Sequence, residues 1–324
     1  YSPDAALSQL LAGTGLTVAL TPSGTAATTP ARLAALKDAG LSRVAVSLDG
    51  PDPDTHDAFR RVRGSYARTV RIIDAAIDLG LPLQINSTIS RLTLPSLEAM
   101  AARVAQFPLT LWALFFLIQT GRGANLEQVG PEECERVLGY LYDLSLTSPF
   151  GIKTTEAPHY HRIVWQREDA RLRAGLPTQA VERRRQLRAP RSVNDGNGFV
   201  FIDHLGYICP SGFLPVQRGN VRTASLAEVY RADEVFGRLR NANALLGKCG
   251  RCRFREICGG SRSRAFAATG AMMASDPLCA YEPGPTTESL VTIVHPDPAA
   301  TGVPAHNGLN ARTALDTVMG GGTH

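Results

Sequence analysis

Five of the chain's six cysteines lie between residues 209 and 279: Cys209, Cys249, Cys252, Cys258 and Cys279, spaced C-x39-C-x2-C-x5-C-x20-C. A CxxC pair turns two thiolates onto one metal or cluster, because the intervening turn aims both sulfurs inward. Gly259 and Gly260 follow Cys258 and let the backbone approach closely, and Cys279 completes a set of four. Four thiolates satisfy either a cubane 4Fe–4S cluster or a tetrahedral zinc ion. Zinc ribbons usually repeat CxxC twice, whereas x5 followed by a distant single cysteine is less usual for them. Disulfides are the other alternative. The chain opens Tyr-Ser-Pro-Asp, without the basic start and apolar stretch of a secretory signal, and Arg251, Arg253 and Arg255 crowd the CxxC. Both features favour a metal site in the cytoplasm. Cys134 falls inside a helical pattern and reads as a buried structural thiol.

A second set of candidates follows the apolar runs of the first half: Ser47 and Asp49, Asn86 and Thr88, and Gln119. In parallel α/β folds the carboxyl ends of strands carry the active site, although such residue types also cap helices and turn the chain. The run Thr120-Gly121-Arg122-Gly123 could cradle an anion. Residues 154–161 read as an extended polar segment. Its His159 and His161 have no third ligand nearby, so a loop beside substrate suits His159 and Tyr160 better than a metal site. Nine arginines between residues 162 and 191, against Glu168, Asp169 and Glu182, read as a solvated helical connector. Its functional alternative is attraction of a carboxylate-rich substrate or an acidic peptide.

These residues need elements to hold them. Residues 16–20, 43–48, 83–89 and 109–118 are nearly continuous apolar runs, as in strands buried on both faces of a parallel sheet. Between them lie helical stripes. Tyr66, Val70, Ile73 and Ile77 share one face, with Ser65 as cap and Gly80 as stop. Leu97, Met100, Val104 and Phe107 form another, with Pro95 in the first turn. Repeated strand–helix units imply a barrel or a doubly wound sheet, and four units make half a TIM-type barrel. Either the sheet is open or earlier units precede Tyr1. Residues 131–147 read as a helix. A hairpin follows over 199–203 and 207–209, then a helix over 225–241. From 284 to 324 periodicity gives way to a tail read as disordered.

Composition closes off several function classes. Lys and Arg total 34 against 29 Asp and Glu, a surplus of 5 that is too mild for a nucleic-acid footprint. No run of apolar residues is long enough to span a membrane. Lys37, Lys153 and Lys248 are the only lysines, which weakens a Schiff-base reading.

The run Cys249-x2-Cys252-x5-Cys258-Gly259-Gly260, followed by Asp276-Pro277-Leu278-Cys279, resembles the SPASM extension of radical S-adenosylmethionine (SAM) enzymes. The resemblance extends upstream to RVAVSLDG at 43–50, His56-Asp57-x-x-Arg60 with Gly64-Ser65-Tyr66, and the strand around Asn86. Downstream it takes in Gly206-Tyr207-Ile208-Cys209-Pro210, Gly219-Asn220 and the helix at 226–230. It implies SAM and a 4Fe–4S cluster as cofactors, a one-electron reductant such as ferredoxin or flavodoxin, and a peptide or tetrapyrrole substrate. A reduced cluster would cleave SAM, and the 5′-deoxyadenosyl radical would abstract hydrogen from a C–H bond. By the same resemblance Ser47 would meet the methionine end of SAM, Asp49 would support its loop, and Arg60 would pair with the SAM carboxylate. Asn86 and Ile118 would line the ribose and adenine. Cys249, Cys252, Cys258 and Cys279 would hold one auxiliary cluster. Ala224 and Arg262 stand where a second cluster's cysteines are expected, leaving Cys209 as a substrate-side or structural thiol.

The superfamily's CxxxCxxC motif does not occur in these 324 residues. The expectation is therefore an amino-terminally truncated chain, inactive alone: a partial barrel over 1–125, a connector over 126–195, a small α+β iron–sulfur domain over 196–283, and the tail. The competing expectation is a zinc-stabilised binding module without chemistry of its own.

Overall fold

The computed structural model describes residues 13, 15–25, 27–178 and 194–284. Residues 179–193 of the arginine-rich connector and 285–324 of the tail lie outside them. The chain divides into two compact units, Tyr1–Ala157 and Pro158–His324.

The first unit is a parallel sheet of five strands in the order β1 (Val18–Leu20), β2 (Leu41–Ser47), β3 (Leu83–Ile89), β4 (Leu111–Phe116), β5 (Gly151–Thr155). Crossovers run through α1 (Pro30–Asp38), α2 (Pro53–Arg60), α3 (Ser65–Asp78), α4 (Leu97–Val104) and α5 (Pro131–Ser145). This is an α/β partial barrel. Val44, Val46, Ile85, Trp112 and Leu114 are at most 1% exposed, although β3 alternates buried with half-buried residues rather than forming a continuous apolar run.

β5 is a correction to the four-strand reading. Gly-Ile-Lys-Thr-Thr has one large apolar residue and sits at the sheet edge, so no apolar run announces it; its register is Ala113 to Lys153. The extended segment expected over 154–161 is likewise divided. Thr154 and Thr155 end β5, while His159, Tyr160 and His161 open the helix α6 (His159–Arg173).

Ser65 does not cap α3. Gly64 holds the cap position at φ 73°, and the Asp57 carboxylate accepts from Gly64 N and Tyr66 N. The buried residues are Thr69, Ile72, Ile73, Ala75 and Ala76, with Tyr66, Val70 and Ile77 only half-buried. On α4 the buried residues are Leu97, Met100, Ala101 and Val104; Phe107 lies past the helix end, under the Arg103 guanidinium at 4.6 Å.

Gly50 lies within the loop between β2 and α2. A methyl group there would stand 2.5 Å from His56 N and 2.7 Å from Thr55 Cβ. Gly50→Ala is expected to cost about 1–3 kcal/mol through this overpacking. Urea unfolding of the variant checks it, and an unchanged midpoint would contradict it.

In the second unit β6 (Phe201–Ile202), β7 (Tyr207–Cys209) and β8 (Gly219–Asn220) form an antiparallel sheet. The helix expected over 225–241 is two, α7 (Leu226–Ala232) and α8 (Glu234–Leu239). Asp233 breaks it: its backbone is extended, and its Oδ1 accepts from Val235 N at 2.9 Å and Phe236 N at 3.3 Å as the cap of α8. α9 (Gly247–Arg251) and α10 (Arg262–Thr269) follow.

Candidate functional site

The strand ends of the first unit gather the polar residues expected there. Ser47 and Asn86 are register partners at the ends of β2 and β3, and Gln84 Nε2 donates to Asn86 Oδ1 at 2.7 Å. Asp49, 3% exposed, is a knot between segments. Its Oδ2 accepts from Arg60 Nε at 2.6 Å on α2, and its Oδ1 from Thr88 N at 2.7 Å on β3. Arg60 thus turns its guanidinium onto Asp49. Ile118 is buried two residues beyond β4, and Gln119 Nε2 donates to Leu126 O at 2.9 Å.

His56 completes the knot. Asp49 N donates to His56 Nδ1 at 3.1 Å, which leaves the proton on Nε2, 3.2 Å from Ser65 Oγ. Burial lowers its pKa below the ordinary 6.5, partly offset by Asp49. The folded state therefore holds His56 neutral where the unfolded chain would take up a proton. The stability this contributes is present above the unfolded pKa and declines as pH falls below it. Between about pH 7.5 and pH 5.5 the melting temperature should fall more steeply in the wild type than in His56→Gln. Parallel slopes would contradict this.

The second unit holds the sulfurs. Cys249 lies in α9 and Cys252 at its end, with Phe254 N donating to Cys252 Sγ at 3.4 Å. Cys258 is followed by Gly259 and Gly260 at φ 67° and 66°, the left-handed region that glycine enters freely. A methyl group on Gly260 would also stand 2.8 Å from Asp276 Cβ. Asp276 N donates to Cys249 Sγ at 3.4 Å, and Arg262 Nη2 approaches the same sulfur at 3.8 Å. Cys249, Cys252, Cys258 and Cys279 all line one cavity of about 350 Å³, part of it open to solvent. His159, Arg162, Lys248 and Arg255 line it too; Asp276 stands 3.3 Å from His159 and Glu282 3.2 Å from Lys248. Phe254 stacks edge-on between Trp165 and Tyr281, at 5.5 and 5.4 Å, and Arg162 lies 5.0 Å over the Tyr281 ring.

No disulfide joins any of the six cysteines in the structure. Burial pushes the Cys249, Cys252 and Cys258 thiols up. Burial acts on Cys279 in the same sense, but His159 beside it brings the net shift below the ordinary thiol value. Burial would lower His159, yet Asp276 raises it to about 9; Asp276 is held well below the usual carboxylate range against its burial by Arg264 and His159.

His159 therefore belongs to the sulfur cavity, and Tyr160 is buried in the first turn of α6. Cys209 is buried in β7, with Phe201 as register partner, and does not line the cavity. The network of His159, Asp276 and Arg264 was not legible in sequence. Its members come from three separate segments, and the only hint was the run Asp276-Pro277-Leu278-Cys279.

The family model described as Radical SAM superfamily matches residues 4–101. The AdoMet-dependent heme synthase of Methanosarcina barkeri is 35% identical over 271 residues, covering 83% of this chain and 76% of that protein. The chain belongs to the radical SAM superfamily. A more distant radical SAM relative is the PqqA peptide cyclase of Rhodopseudomonas palustris, 29% identical over 275 residues, with 78% of this chain and 63% of that protein covered. The fold matches that of a solved structure described as native anSMEcpe with bound AdoMet, at TM-score 0.57 and 12% identity, covering 81% of this chain and 70% of that one. Among the described residues of this radical SAM chain, no helix is long and apolar enough to cross a membrane.

Proposed function

We propose that the chain is part of a cytoplasmic radical SAM oxidoreductase acting on a carboxylate-bearing tetrapyrrole, with a SPASM-type second unit that holds one auxiliary 4Fe–4S cluster on Cys249, Cys252, Cys258 and Cys279. The observation that carries the cluster reading is the one cavity lined by all four cysteines together with Arg162 and Arg255. The x5 spacing followed by a distant single cysteine favours a cluster over a zinc ribbon, which usually repeats CxxC twice. The cations fit a cluster's negative charge, and the buried His159 ring, lacking a well-formed hydrogen bond, fits a sulfur-rich neighbour.

When bound, the cofactors supply one-electron reduction and a radical able to take hydrogen from an unactivated C–H bond, drawing on a reductant of the ferredoxin or flavodoxin class. The chain's own residues bind and orient. Ser47, Asn86 and Ile118 would flank SAM; Asp49 would fix the loop after β2; Arg60, steadied by Asp49, would face the SAM carboxylate. The tetrapyrrole is favoured over a peptide by the relative named a heme synthase, which is the more similar of the two. An iron porphyrin with carboxylate side chains is expected to shift its Soret band when titrated with the iron-loaded protein. No spectral change would overturn the substrate reading. Because CxxxCxxC does not occur in these 324 residues, they are expected on their own to give no 5′-deoxyadenosine from SAM and reductant. Its appearance would contradict that assignment.

A further inference from the structure

His159 is 1% exposed, and neither ring nitrogen has a hydrogen bond of good geometry among the described residues. Nε2 lies 3.3 Å from Asp276 Oδ2, and the ring also interacts with Cys279. Asp276 is itself locked. Its Oδ2 accepts from Ser261 N at 2.7 Å and from Arg264 Nη1 at 3.3 Å, and its Oδ1 from Leu278 N at 2.9 Å. The imidazole thus stands between an immobile carboxylate and one of the cavity's sulfurs. A buried imidazole needs a partner on each side; Asp276 faces Nε2, and a ligand sulfur carrying negative charge supplies the other. The other three sulfurs receive backbone donors, Cys249 from Asp276 N, Cys252 from Phe254 N and Cys258 from Gly260 N. Cys279 has the backbone of Tyr281 and, unlike the others, an imidazole brought from the far end of the unit's sequence.

We propose that His159 is the positioning residue of the sulfur site: pinned by Asp276, it turns a ring N–H onto the Cys279 sulfur and raises the reduction potential of the bound cluster. This rests on the reading of the four cysteines as cluster ligands. A hydrogen bond to a ligand sulfur draws charge away from iron and favours the reduced, more negative state. His159 acts through Cys279 and touches no reacting atom.

The test is a redox titration of the anaerobically reconstituted full chain, with dithionite as the one-electron donor and EPR of the reduced cluster as the readout. His159→Leu is expected to keep its iron and sulfide but to reduce about tenfold less favourably, equal to about 59 mV for a one-electron couple. His159→Gln, which retains a side-chain N–H, should lie nearer the wild type. If the leucine variant fails to hold iron, His159→Asn replaces it: its shorter amide falls short of the sulfur, so its potential should lie below that of His159→Gln. Iron-replete variants that share the wild-type potential would overturn the proposal and leave the cluster reading standing. A wild-type chain that takes up neither iron nor sulfide would overturn both.

Discussion

Cys258→Ala is expected to strip most of the iron from the anaerobically reconstituted protein. Cys258 is buried beside Phe254, and the left-handed Gly259 and Gly260 bring the chain back past Cys249. Loss of an outer-shell partner typically costs about 10–100-fold in metal affinity, and loss of a ligand costs at least as much. Binding also couples to folding, so the variant's second unit should unfold at lower denaturant than the loaded wild type. Cys134→Ala and Cys209→Ala are the controls. Both thiols are buried, but neither lines the sulfur cavity, so iron content should stay at the wild-type level. Equal iron in Cys258→Ala and the controls would remove Cys258 from the ligand set.

Asp276→Ala should be the most destabilising single change in the second unit. The side chain is fully buried and binds the amides of Ser261 and Leu278 as well as Arg264 and His159. Its removal leaves Arg264 and His159, each 1% exposed, without their carboxylate. Breaking a buried pair from one side costs about 3–5 kcal/mol, because the remaining charge stays desolvated. Asp276→Asn keeps an acceptor for the amides but not the charge, and should fall between. Chemical denaturation of the cluster-free protein measures both variants. A loss for Asp276→Ala below about 1 kcal/mol, the range of an exposed pair, would show that the network is not structural.

What the sequence made legible follows from how local each signal is. β4 and the second half of β2 are apolar runs, so burial wrote them into composition; β3 instead alternates, with Leu83, Ile85 and Ile89 buried and Gln84, Asn86 and Thr88 half-buried, while β5 lies at the edge with exposed Gly151 and Lys153 and left no such mark. α3 was legible by its period, but its cap was not. Ser65 has the residue type of a cap, yet the work is done by Asp57, at the other side of the turn. The four cysteines were legible because metal sites favour short spacings such as 249 to 252. His159 was not, since the helical start of α6 and its approach to Asp276 depend on a contact across more than a hundred residues. Asp233 is intermediate: the residue type of a cap was visible, but only the fold shows that it divides a helix.

Iron and acid-labile sulfide per chain, measured after anaerobic reconstitution of the whole chain, test the central claim most directly. About four of each, with a brown colour lost in Cys258→Ala, is the predicted result for a cubane cluster on four thiolates. One zinc per chain with no sulfide would contradict it.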